Sequence, residues 1–80
     1  MNTARPSPGE VAQWIAEYLA ANPRAADTAE GIRRWWLAPR HGEVGPELVD
    51  QALRQLEEEG VVMRRTVARQ VVFGRAPGRP

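Results

Sequence analysis

Gly60 divides the 80-residue chain into two parts with different hydrophobic patterns. Before it, apolar residues recur at the three- and four-residue spacings of helices that bury one face. After it come short runs of β-branched and apolar residues of strand length. A chain of this length forms one small domain, which buries only about 60% of the surface of its unfolded form. The pattern therefore predicts a single α+β domain in which three helices precede a two-stranded β-hairpin.

The first helix is predicted over residues 8–21. Ser7 is the expected N-cap, Pro8 occupies the first helical position, and Glu10 completes a capping box. The helix ends before Pro23, because the residue preceding a proline is pushed out of the helical region. Its apolar stripe consists of Val11, Trp14, Ile15, Tyr18 and Leu19.

The second helix is predicted from Thr28 to about Leu37, with Asp27 as cap, Glu30 as its capping-box partner and Pro39 closing it. Gly31 inside this helix costs about 1 kcal/mol relative to alanine. A close approach to another helix would account for it.

The third helix is predicted to begin at Pro46 and to end at Gly60, a left-handed C-terminal residue after which Val61 packs on Leu56. The hairpin follows, with strands at 61–65 and 70–73 and a turn within 66–69. That turn lacks the Gly, Asn or Asp that tight hairpins prefer. We expect the domain to span 8–75, between a disordered lead (1–7) and a disordered Gly/Pro/Arg-rich tail (76–80).

Charge is distributed unevenly along the chain. All eleven basic residues are arginines; residues 61–80 hold five of them and no acid, a net charge of +5. Residues 1–60 hold six arginines against ten acids, a net charge of −4. A basic end beside an acidic body indicates a polyanionic partner or self-association.

The segment from Val44 to Val62 resembles the recognition helix and following strand of winged helix-turn-helix domains. It has a small residue and a proline at the helix start, a Leu-x-x-Leu-type stripe, an acidic stretch, a glycine and an aliphatic pair. The resemblance covers about residues 8–75 and includes the order of all elements. It implies a nucleic-acid-binding module, often a small bacterial transcriptional regulator, whose third helix enters the major groove while the hairpin wing contacts phosphates or the minor groove.

On this interpretation double-stranded DNA is the partner, and the candidate contacts are Gln51 and Arg54 on the third helix and Arg64, Arg65 and Arg69 on the wing. Two would-be base-facing positions hold Glu47 and Asp50 instead, where such domains commonly carry Ser, Thr, Arg, Lys or Asn. Residues 44–60 have one arginine against five acids. Because DNA affinity comes mostly from cations that neutralise phosphates, this helix is a poor source of affinity.

A protein–protein adaptor or a homodimer is the alternative function. Trp35 and Trp36 are adjacent on the second helix, about 100° apart, so one is expected in the core and the other exposed. An exposed tryptophan beside arginines is a favoured interface anchor. Glu47 and Asp50 would belong to the same protein-binding surface. Besides DNA contact, the wing arginines have two alternative roles: as charges that protect an edge strand from aggregation, or as partners of Glu57, Glu58 and Glu59 within one molecule or between two.

Several functional classes are not expected. Without cysteine there is no disulfide, thiolate metal site or cysteine nucleophile. The single histidine, His41, is expected in an exposed loop, and no catalytic, zinc or phosphate-loop motif occurs. No apolar run approaches a membrane span and residues 1–9 do not resemble a secretory signal. We expect a cytoplasmic non-enzyme without cofactor or small-molecule ligand.

Overall fold

The computed structural model of the chain describes residues 5–77. It is an α+β structure of three helical segments and a three-stranded antiparallel sheet, so the predicted class is confirmed. The elements are α1 (Pro8–Ala21), β1 (Ala26–Asp27), α2 (29–41), α3 (Pro46–Glu58), β2 (Val62–Val67) and β3 (Gln70–Arg75).

Helix α1 has the predicted bounds. The Ser7 hydroxyl accepts from the Glu10 N–H (3.1 Å), and the Glu10 carboxylate accepts from the Ser7 N–H (3.0 Å). At the other end the Asn22 N–H donates to the Tyr18 carbonyl (2.8 Å). Both ends are set by residues close in sequence, which explains why the pattern predicted them.

Helix α2 begins differently from the prediction. Thr28 is the N-cap, and its hydroxyl accepts from the Gly31 N–H (3.0 Å). Asp27, predicted as the cap, instead accepts from the Thr28 N–H (2.8 Å) and belongs to β1. Pairing with β3 holds Asp27 in the sheet, so the cap moves one residue along the chain.

Pro39 does not end α2, contrary to the prediction. The helix is α-helical at Ala29–Gly31, π-helical at Ile32–Leu37 and α-helical again at Ala38–His41. In the wide central part the Ala38 N–H donates to the Arg33 carbonyl, five residues back. Pro39 then falls in the first turn of the last α-helical piece, where a missing N–H is tolerated. His41 is consequently the last residue of a helix rather than part of a loop.

Helix α3 ends as predicted. Gly60 has a positive φ of 75°. The Val61 N–H donates to the Leu56 carbonyl (2.9 Å) and the Gly60 N–H to the Glu57 carbonyl (3.1 Å). These two bonds form a Schellman motif, which turns the chain directly from α3 into β2.

The hairpin is longer than predicted. Strands β2 and β3 pair from Val62 with Arg75 to Val67 with Gln70. Ala68 and Arg69 form the turn, and both have positive φ (50° and 69°), the arrangement found in type I′ turns. Gly74 and Arg75, which lie beyond the predicted second strand, are the last residues of β3.

A third strand corrects the predicted two-stranded hairpin. Ala26 and Asp27 pair with Gly74 and Phe73, so the sheet order is β1-β3-β2. A Cβ on Gly74 would lie 3.3 Å from both the Ala25 carbonyl oxygen and the Ala26 Cβ, so glycine leaves room for β1 to approach. Two residues are too few for a strand signal in the sequence.

The chain just after β3 is tied to the domain, since the Ala76 N–H donates to the Val61 carbonyl (2.9 Å). Of the predicted disordered lead (1–7) and tail (76–80), residues 1–4 and 78–80 lie outside the described residues.

One buried cluster joins all three helices to the sheet. Helix α1 contributes Val11, Ile15 and Leu19, and α3 packs against it with Val49, Leu53 and Leu56. Ile32, Trp36 and Leu37 of α2 complete the cluster with Val62 and Phe73 of the sheet. The predicted contact of Val61 with the helix it follows lies at the edge of this core, where Val61 is half-buried.

Candidate nucleic-acid interface

The exposed face of α3 carries the candidate base contacts and the acids together. Glu47, Asp50, Gln51 and Arg54 are all exposed and recur at the three- and four-residue spacing of one helix face. The opposite face is buried through Val49, Ala52, Leu53 and Leu56. The local pattern thus presents two carboxylates, one amide and one guanidinium to the surroundings.

Arg64 of the hairpin forms an ion pair with Glu57 of α3. Its Nε donates to Glu57 Oε2 (2.7 Å) and its Nη2 to Oε1 (3.0 Å), a bidentate arrangement. The guanidinium also lies 5.2 Å from the centroid of the Phe73 ring, on the cross-strand partner of Arg64. Arg64 therefore links the hairpin to α3. Such pairing within one molecule was one of the alternatives expected for the wing arginines.

This ion pair shifts the pKa values of both Glu57 and Arg64. The hydrogen bond from Arg64, reinforced by its charge, holds the pKa of the Glu57 carboxyl below the ordinary value, against the opposing effect of partial burial. The same hydrogen bond raises the pKa of Arg64. Both groups are therefore charged throughout the neutral range.

A second set of ion pairs occupies the arginines of α2. Glu30 accepts from Arg33 (2.8 Å) and from Arg34 (2.6 Å). The hydrogen bond from Arg33 is the largest cause of the lowered pKa of Glu30, and the hydrogen bond from Arg34 lowers it further. The bond to Glu30 in turn raises the pKa of Arg33. The positive charge of Arg33 and Arg34 is thus partly neutralised next to the exposed Trp35.

Arg65 and Arg69 remain exposed, and neither forms an ion pair within residues 5–77. Arg65 lies on the outer sheet face, defined here as the β2 and β3 side chains of Met63, Arg65, Val67, Gln70 and Val72 together with Gly74. Arg69 occupies the hairpin turn.

A cavity of about 380 Å³ opens beside the outer sheet face. Arg24, from the loop before β1, and Arg65 line it, and no acidic residue does. Arg75 also contributes to its wall, although alternation along the strands directs the Arg65 and Arg75 side chains to opposite faces. Arg75 lines a second cavity of about 810 Å³, together with Glu59.

Sequence reasoning did not select Arg24 as a candidate. Arg24 is 41 positions from Arg65 along the chain, and only the pairing of β1 with β3 brings its loop to the sheet. No local pattern near Arg24 carries that information, so the sequence held no signal that could have found it.

The structure resolves which tryptophan of α2 is buried. Trp36 is 5% exposed, and its ring stacks on Tyr18 of α1 with 4.5 Å between ring centroids. Trp35 is 66% exposed. Trp14, expected in the core, is half-buried and stacks on His41 at 3.9 Å. The predicted division between one core and one exposed tryptophan is confirmed.

No model of a protein family, no curated protein and no solved structure matches this chain. Within residues 5–77, no three His, Cys, Asp or Glu side chains come together in a way that could hold a metal ion. In the same range, no helix has the length and apolar content needed to cross a bilayer.

Proposed function

We propose that this chain is a winged helix-turn-helix domain that binds double-stranded DNA without catalysing a reaction, as a small bacterial transcriptional regulator would. The order of three helices and a hairpin supports the proposal, and β1 enlarges the sheet without changing that order. On this interpretation α3 is the recognition helix and the β2–β3 hairpin is the wing.

The outer sheet face, together with Arg24 beside it, supplies most of the affinity. The observation that carries this proposal is that Arg24 and Arg65 line one cavity without any acidic residue in its wall. Neither forms an ion pair within the described part of the chain, so both can exchange counterions for phosphates. Arg69 at the tip of the wing extends the same basic surface.

Helix α3 contributes orientation more than affinity. Gln51 can pair with adenine and Arg54 with guanine or a phosphate. Glu47 and Asp50 on the same face repel phosphates, although a carboxylate can accept from the amino group of cytosine. Arg64 is engaged by Glu57, so its main role is to hold the wing at a fixed angle to α3.

The test is the salt dependence of DNA binding. Fluorescence anisotropy with a duplex of about 20 base pairs is measured from about 25 to 200 mM salt, where each phosphate contact contributes a slope of about −0.9 in log K against log[salt]. We expect Arg24→Gln/Arg65→Gln to reduce the magnitude of the slope by about 2 and to weaken binding at least about tenfold at the lowest salt.

Arg33→Gln/Arg34→Gln is the matched control. It removes the same number of charges from α2, where both arginines are paired with Glu30, and should leave the slope nearly unchanged. Undetectable binding at the lowest salt would refute the proposal. Equal loss of slope in both double variants would refute the assignment to the outer sheet face.

A further inference from the structure

The groove between α1 and α2 is lined by aromatic rings on both sides. Trp14 and Tyr18 of α1 and Trp35 and Trp36 of α2 line a cavity of about 220 Å³, together with Pro39. Two stacked pairs join α1 to α2 in its walls: Tyr18 on Trp36 and Trp14 on His41, the latter with an interplanar angle of 5°. Trp35 stands beside them with two thirds of its surface exposed.

We propose that this aromatic groove binds a proline-containing, extended segment of a partner protein. Its volume is below the roughly 300–1,000 Å³ of pockets that enclose whole small molecules, so it suits one or two side chains at a time. Segments in the polyproline II conformation dock in grooves lined by aromatic rings and lose little conformational entropy, because they are already extended.

The polar atoms of the groove fit the same occupant. A polyproline II segment has no internal hydrogen bonds and exposes its carbonyl oxygens as acceptors. The indole of Trp35 carries an N–H donor on a largely exposed ring, and Tyr18 carries a hydroxyl. The Asn22 side chain, at the end of the groove, donates to the Tyr18 carbonyl (3.0 Å) and has a second N–H to offer.

The charges of the groove favour an uncharged occupant. Glu17 and Arg40 both line it, so its wall holds one acid and one base, with the exposed His41 beside them. A cationic ligand would gain from the ring faces and from Glu17 but would be repelled by Arg40. An acidic peptide would be attracted by Arg40 and repelled by Glu17. The wall therefore gives neither sign of charge a net advantage, and the contact positions of a proline-containing segment are uncharged.

A second copy of the chain fits this face less well. Of the large apolar side chains that are exposed in residues 5–77, Met63, Val67 and Val71 lie on the hairpin and only Trp35 lies at the groove. A stable interface buries about 800 Å² on each partner around an apolar centre. One tryptophan in a narrow groove matches a linear segment better than a folded surface.

The test uses the 80-residue chain labelled with ¹⁵N and a capped decaproline peptide. Each of the three tryptophans carries one indole N–H, so we expect the response of Trp35 to be followed through a signal of its own. We expect a saturable shift of the Trp35 indole signal and smaller shifts for Trp14. Trp35→Ala should weaken binding at least tenfold while keeping the dispersed spectrum of the folded domain, because that ring is mostly outside the core.

Val67→Ala is the matched control, since Val67 is an apolar residue of comparable exposure (53%) on the hairpin, and it should bind decaproline like the wild type. Three results would each overturn the proposal. One is the lack of a saturable shift with decaproline. Another is a shift with tetramethylammonium but none with decaproline, which would identify an aromatic cation site. The third is self-association of the chain that Trp35→Ala abolishes, which would identify a dimer contact.

Discussion

At the residue scale, Gly31 shows that the reason for a residue can lie in a neighbour that the local pattern does not identify. The expected reason for a glycine here was a close approach to another helix. In the structure, a Cβ on Gly31 would collide with the carboxylate of Asp27, which is bonded to the Thr28 N–H. Gly31 thus makes room for the carboxylate that closes the start of α2.

We predict that Gly31 and Asp27 are energetically coupled. Alanine in a helix gains about 1 kcal/mol over glycine, but in the wild type this gain is offset because the added methyl group would displace the Asp27 carboxylate. In the Asp27→Ala background, Gly31→Ala should therefore be more favourable by about 1 kcal/mol than in the wild type. Urea unfolding of the four proteins in this double-mutant cycle measures the coupling, and additive effects would contradict it.

At the element scale, the hairpin turn is held in an unfavourable backbone conformation. Ala68 and Arg69 both have positive φ, which costs roughly 1–2 kcal/mol for each residue other than glycine and is less costly for asparagine. The long register from Val62–Arg75 to Val67–Gln70 imposes this turn despite its composition. The prediction of a hairpin was right although the turn chemistry argued against it, because the strands determined the connection.

Replacing the turn by Ala68→Asn/Arg69→Gly should raise the free energy of unfolding by about 1–2 kcal/mol. The gain arises from backbone conformation alone, so the denaturant m-value should not change. Ala68→Val is the opposing control, since a β-branched residue is strained at positive φ and should destabilise. A turn variant no more stable than the wild type would show that the turn carries no strain.

The contact between α3 and the hairpin depends on pH through Glu57. Its pKa is lowered in the folded chain by the hydrogen bond from Arg64. A lowered carboxyl pKa adds stability that is fully present above the unfolded value near 4.5 and is lost as the pH falls through the folded value. Glu57→Gln should therefore be less stable than the wild type at pH 7, and the difference should shrink below about pH 4.5.

Urea unfolding between about pH 3 and pH 7, followed by tryptophan fluorescence, measures this difference. Glu58→Gln, one residue away and outside the ion pair, is the control, and its stability should follow the wild type across the range. A stability difference between Glu57→Gln and the wild type that is independent of pH would contradict the ion pair as its cause.

At the scale of the whole molecule, ion pairs neutralise only some of the charges in the acidic residues 1–60 and the basic residues 61–80. The Glu57–Arg64 pair joins them, and Arg33 and Arg34 are paired within α2. Other exposed arginines lie on the sheet, and exposed acids lie on α3, so the two charges form separate surfaces of one small domain. A polyanion that contacts both surfaces would be attracted by the arginines and repelled by the acids, and both effects weaken as salt shortens the screening length, about 10 Å at 0.1 M.

Glu47→Gln/Asp50→Asn should therefore raise DNA affinity by roughly fivefold to tenfold at low salt, with the gain diminishing as salt is added. The reason is that both carboxylates share the exposed face of α3 with Gln51 and Arg54. Glu17→Gln on α1 removes an exposed acid elsewhere and should have little effect. Anisotropy titrations give the comparison, and unchanged affinity in the double variant would mean that α3 faces away from DNA.

Local sequence determined the parts of this protein whose bonds join residues a few positions apart. The capping box of α1 and the Schellman ending of α3 are of this kind, as is the separation of Trp35 and Trp36 to different sides of one helix. The class α+β followed from the same short-range patterns.

Tertiary structure decided what depends on contacts between distant positions. Pairing with β3 makes Ala26 and Asp27 a strand, moves the cap of α2 to Thr28 and brings Arg24 beside Arg65. Packing of α2 against α1 selects Trp36 over Trp35 for the core, because its ring stacks on Tyr18. Such contacts form only when the whole chain is folded. The sequence therefore predicted the wing arginines and the exposed residues of α3. It did not predict Arg24 or the aromatic groove, because both depend on residues that are far apart in the chain.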